Sequence, residues 1–96
     1  MQPEAKFKQK VKRRLDELND MYYYCTQEMS RHGTPDIIGC YRGLFFAWEL
    51  KTETGRVSKI QEVILERISV AGGLSAVVTP STLDAAFTDL LIWSAH

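Results

Sequence analysis

Two strand-like runs, Ile37 to Tyr41 and Leu44 to Lys51, are separated only by Arg42-Gly43. A two-residue connection between strands is a hairpin turn, and it fixes the pairing: Tyr41 faces Leu44. Counting back along both strands puts Asp36 opposite Glu49. Side chains alternate along a strand, so Leu44, Phe46, Trp48 and Leu50 point one way while Phe45, Ala47, Glu49 and Lys51 point the other. Asp36, Glu49 and Lys51 therefore gather on one face of one hairpin. The reading depends on register, because a slip of one residue would send the two acids to opposite faces.

Like charges directly opposite each other are unfavourable in a sheet. Something positive belongs between Asp36 and Glu49, and the candidates are Lys51 or a metal ion. Hard divalent cations such as Mg²⁺ take oxygen ligands, so two carboxylates with a backbone carbonyl make a reasonable site. A cation there could polarise a phosphate, and Lys51 could orient a water or stabilise developing negative charge. The plainer alternative is a solvated acid–lysine cluster on a surface hairpin.

The remaining elements follow from periodicity. Phe7, Val11, Leu15 and Leu18 at helical spacing predict an amphipathic helix over 4–19. Met21 to Met29 is rich in β-formers, and 30–35 reads as a turn or loop. Ser58 opens a second helix with Ile60, Val63, Ile64, Ile68 and Ala71 on its stripe, stopped by Gly72-Gly73. Leu74 to Thr79 reads as a short buried strand. Ser81 is then the expected N-cap of a third helix bearing Leu83, Ala86, Phe87, Leu90 and Leu91. The order is α-β-β-β-α-β-α, an α/β fold with no repeats or linkers.

A chain of 96 residues, 45% hydrophobic and 25% charged, is expected to be one domain, too apolar for disorder and small enough that an oligomer interface would help it. The net charge of zero hides an asymmetry. Six basic residues and no acid lie between Lys6 and Arg14, whereas no Lys or Arg follows Arg67. That arm suits a polyanion or a merely solvated helix face. Cys25 and Cys40 lack disulfide or zinc spacing and are expected to be buried free thiols in a reducing, cytoplasmic setting. No segment resembles a signal peptide or a membrane span.

Pro35-Asp36 followed by Glu49-Leu50-Lys51 and then Gln61 resembles the PD-(D/E)XK nuclease superfamily. Gly33-Thr34-Pro35-Asp36 with Glu49-Leu50-Lys51-Thr52, Gly55, Ser58 and Gln61 is similar to its VRR-NUC family, in particular the short stand-alone proteins of phages and bacteria. The resemblance implies a restriction-endonuclease-like core over 1–96, a mixed sheet flanked by helices. It also implies a metal-dependent deoxyribonuclease in the cytoplasm of a bacterium or a phage-infected host cell. Asp36 and Glu49 would hold Mg²⁺ or Mn²⁺ with the Leu50 carbonyl, Lys51 would be the catalytic lysine, and Gln61 would support the site. An acid early in the first helix is part of the pattern, and Glu4 is its best match. Stand-alone members resemble Holliday-junction resolvases in acting as homodimers, so branched or junction DNA is the implied partner.

Several residues keep two readings. Ser58-Lys59-Ile60-Gln61 is a capping box, so Gln61 serves the helix start, the active site, or both. Arg31, His32, Arg56 and Lys59 flank the site as candidate DNA contacts, with Lys6 and Lys10 on the basic arm. His32 could instead be an ordinary loop residue. Tyr22, Tyr23 and Tyr24 could stack on bases, although alternation sends at least one into the core. Phe87, Leu90, Leu91 and Trp93 offer more apolar surface than so small a core needs, part of it for a dimer. The rivals to a nuclease are a non-catalytic DNA-binding module on the same fold and a small α/β interaction protein.

Overall fold

The computed structural model describes residues 2–26 and 32–95. Its elements run α1 (Pro3–Asp16), β1 (Met21–Cys25), β2 (Ile37–Tyr41), β3 (Leu44–Leu50), α2 (Lys59–Val70), β4 (Leu74–Val78) and α3 (Leu83–Ser94), the order expected from the sequence. The four strands form one sheet in the order β1-β2-β3-β4. β1, β2 and β3 are antiparallel, and β4 lies parallel to β3 after the α2 crossover.

The hairpin register is the one that the turn dictates: Tyr41 pairs with Leu44 and Ile37 with Trp48. Arg42 and Gly43 have φ of 51° and 87°, the paired positive values of a type I′ turn, whose twist matches that of the strands. α2 begins with the full capping box at Ser58. It ends in a Schellman arrangement, Gly72 donating to Ser69 and Gly73 to Ile68.

α1 and α3 pack on one face of the sheet. Phe7, Val11 and Leu15 of α1 meet Leu83, Ala86, Phe87 and Leu90 of α3 over Ile37, Tyr41, Phe46, Trp48 and Val78. Trp48 lies at the centre, 5.1 Å from the rings of both Phe46 and Phe87. Arg14 ties the helices together, its guanidinium 4.3 Å from the Phe87 ring centre and 2.6 Å from Asp84. One member of the basic arm is thereby spent on packing.

Among the described residues α2 is the one helix on the opposite face, seated on β4 and β3 with Leu65 buried and its carbonyl accepting from the Ser75 hydroxyl. That one-sided cover explains several departures from the sequence reading. Cys40, on the half of the sheet that α2 does not reach, is exposed, and Cys25 is half-buried. β4 is not a buried strand: only Val78 is buried, because the strand borders the sheet. Of the stripe expected on α3, Leu83, Ala86, Phe87 and Leu90 are buried and Leu91 is exposed, beside the exposed Ile92 and Trp93.

Three boundaries also shift. α1 stops at Asp16, because Leu18 turns back onto Leu15 and Asp20 adopts a φ of 60°. β1 is assigned only to Cys25, and 27–31 of the expected longer strand and loop lie outside the described residues. Ser81 is not the α3 N-cap; Thr82 holds that position, and the Ser81 amide and hydroxyl bind the Glu53 carboxylate at 2.6 and 2.9 Å.

Candidate active site

Asp36 immediately precedes β2, held by the chain on either side of it. The Thr26 amide donates to the Asp36 carbonyl at 2.9 Å, and the Thr26 hydroxyl donates to the Pro35 carbonyl. Thr26 is buried, and both bonds serve to set the Pro-Asp turn. Three residues before Asp36, Gly33 lies against the start of α2. Its φ is 86°, and a Cβ there would come within 2.8 Å of Ile60 Cγ1 and 3.3 Å of the Ile60 carbonyl oxygen, so a larger residue would be strained and would push Ile60 aside. The loop that delivers Asp36 is thus packed onto the helix that delivers Gln61.

Glu49 is 3% exposed, the most deeply placed charged residue among those described. Its Oε2 accepts from the Gln61 side-chain amide at 3.0 Å and lies 3.4 Å from the Lys51 ammonium. Gln61 spends its other side-chain atom on the Ser58 amide, at 2.9 Å. One side chain therefore closes the helix cap and holds the Glu49 carboxylate. The Asp36 carboxyl reaches Glu49 as well, while its Oδ2 accepts the Leu50 amide at 2.8 Å. Lys51 is steadied by its own amide, which donates to Val78 at 3.0 Å.

Burial, and then the neighbouring Asp36 charge, push the Glu49 pKa from 4.5 up to about 7; Lys51 pulls it the other way. Glu49 therefore keeps its proton well above the ordinary carboxylate range. A carboxyl whose pKa is raised on folding holds its proton more tightly in the fold, and its stabilising contribution is lost as pH rises through about 7. The metal-free protein should accordingly melt at a lower temperature at pH 8 than at pH 5. The slope across this window is at most about 1.4 kcal/mol per unit. Glu49→Gln should flatten the profile, which thermal melts in chelator will show.

The donor set suits a hard divalent cation: two carboxylates in contact, all-oxygen ligands, and the Leu50 backbone between Glu49 and Lys51. Glu4 does not complete it. Among the described residues no three His, Cys, Asp or Glu side chains are arranged to hold a metal, and Glu4 is exposed in the first turn of α1. The other candidates divide by face. Arg56 and Lys59 are exposed, flanking Lys51 and Gln61 along the chain, and His32 is exposed in the turn before Gly33. Lys6 and Lys10 are exposed on α1, which packs on the sheet face opposite Glu49. Arg31 lies outside the described residues. Sequence reasoning missed Thr26, whose role requires β1 to pair beside β2, a relation no local pattern signals.

No family model matches the chain, and no curated protein does. A solved structure described as a "VRR_NUC domain" superposes with a TM-score of 0.74 at 22% identity, covering 88% of this chain and 94% of that one. Among the described residues no helix is long and apolar enough to cross a membrane. With this sheet order, crossover and superposition, the chain has the restriction-endonuclease-like fold of a VRR_NUC domain.

Proposed function

We propose that this chain is a metal-dependent nuclease that hydrolyses DNA phosphodiester bonds, selects branched or junction DNA, and acts as a homodimer. The observation that carries the reading is the buried Glu49 carboxylate, in contact with Asp36, anchored by Gln61 and 3.4 Å from Lys51. Burying an acid beside another acid costs stability, and the fold bears that cost at the place where the resemblance puts a catalytic centre.

Asp36, Glu49 and the Leu50 carbonyl would hold Mg²⁺ or Mn²⁺, which when bound supplies Lewis-acid polarisation of the scissile phosphate. Lys51 places a positive charge where negative charge grows on the phosphoryl oxygens. Gln61 fixes the Glu49 rotamer, and the Leu50 amide fixes Asp36, so neither carboxylate must reorganise during the reaction. Arg56 and Lys59 neutralise flanking phosphates, which makes binding fall steeply with salt. Homodimerisation is supported by the exposed Leu91, Ile92 and Trp93 on α3. A dimer would place two such sites on a branched substrate larger than one chain of 33 × 29 × 24 Å.

The test is a panel of labelled duplex, flap, splayed-arm and four-way-junction DNAs incubated with Mn²⁺. The wild type should cut at least one branched form faster than duplex, and Asp36→Ala should cut none. A wild type that cuts nothing, or a variant as active as the wild type, would overturn the reading.

A further inference from the structure

We propose that Tyr22 and Tyr24 form a stacking platform for unpaired bases of the strand whose phosphate occupies the Asp36–Glu49 site; the orientation rests on the nuclease reading above. Pairing across the sheet sets Tyr22 beside Cys40 and Phe45, and Tyr24 beside Ile38 and Ala47. The next pair along the same face is Asp36 with Glu49. The platform therefore begins one residue pair from the carboxylates. Tyr23, between the two, points to the other face and donates to Asp16 of α1 at 2.7 Å, which confirms the alternation.

α2 covers β3 and β4 but leaves this half of the sheet open. Tyr22 is 70% exposed and Tyr24 55%, with Cys40 and Phe45 also exposed. At the far end, Phe45 joins Ile68 and Ala71 in a notch of about 350 Å³. No charged side chain interrupts the rows from Tyr22 to Ala47; Lys51 stands beside Glu49 at the site end, and Arg42, 3.6 Å from Asp20, stands at the turn end.

That arrangement of charge selects the occupant. Cations flanking an uncharged aromatic surface match a chain of phosphates that carries planar apolar groups. The spacing agrees, because residues two apart on a strand are about 6.8 Å apart, and that separation accommodates one base between two rings. Each ring would engage any base, since every base has a π face. Paired bases cannot be seated in this way. The platform thus gives a physical reason for preferring single-stranded branches over intact duplex.

Fluorescence anisotropy with labelled oligothymidylate and a blunt duplex, in chelator so that nothing is cut, tests the proposal. Tyr22→Leu and Tyr24→Leu keep apolar area but lose the ring. Each should weaken oligothymidylate binding by about fivefold or more, and the pair more strongly, with duplex binding within about twofold of wild type. Tyr24→Phe should bind like the wild type. Melting temperature identifies any variant that fails to fold, and for such a variant Tyr22→Thr or Tyr24→Thr, which removes the ring but keeps β propensity, gives the same comparison. Unchanged oligothymidylate affinity in the Leu variants would overturn the proposal. So would equal weakening of both probes, or sedimentation showing that the Leu variants dissociate a dimer, since the face would then hold a second copy. Because nothing is cut, failure here leaves the Asp36→Ala cleavage test undecided, and failure of that test leaves this binding result standing.

Discussion

Lys51→Ala should lower Mn²⁺-supported cleavage by about 10²- to 10³-fold at neutral pH, the usual loss on removing one electrostatic stabiliser from a preorganised site. The loss has two parts that can be separated. Lys51 opposes the upward push on Glu49, so its removal raises that pKa above about 7 and leaves less carboxylate free for a cation. This part recovers as pH rises. The stabilisation of charge on the phosphoryl oxygens does not. The rate–pH profile of Lys51→Ala should therefore shift to alkaline pH and still plateau far below the wild type. The variant should fold, because Glu49 can become neutral by keeping its proton and need not stay an unpaired buried charge. Steady-state cleavage between pH 6 and 9, with circular dichroism as the fold control, decides it; a profile parallel to the wild type would show that Lys51 does not act on Glu49.

Trp48→Ala should cost about 3 to 5 kcal/mol, the range for deleting a large buried aromatic. Trp48 is 1% exposed, wedged between Phe46 on its own strand and Phe87 of α3, edge-on to the latter. A small domain has only about 5 to 15 kcal/mol to lose, so a large part of its stability rests on this ring. Trp48 adjoins Glu49 in β3 and points to the opposite face, so the same ring seats the strand that carries the acid and the lysine. Urea denaturation will measure the change; a loss below about 1 kcal/mol would mean that α3 is not held through Trp48.

How much of this was legible in the sequence depended on the range of the interaction. Arg42-Gly43 is a local turn whose chemistry sets a ladder, and that ladder by itself places Asp36, Glu49 and Lys51 on one face. Ser58 and Gln61 form a local cap, and it is present. What alternation could not say was which sheet face receives a helix. Cys40 was expected to be buried and is exposed, and Tyr22 and Tyr24 are open, because one helix covers that face and seats over β3 and β4 only. Ser81 looked like a cap until the distant Glu53 claimed it. Glu4 depended on how a helix packs, a relation that spacing does not encode.

The central claim is that Asp36 and Glu49 together hold a divalent cation. Calorimetric titration of Mn²⁺ at pH 8, above the raised Glu49 pKa, measures this without reference to any substrate. The wild type should give a saturable isotherm, and Asp36→Asn and Glu49→Gln should each abolish it while remaining folded. A wild type with no saturable heat, or variants that bind Mn²⁺ as the wild type does, would contradict the claim.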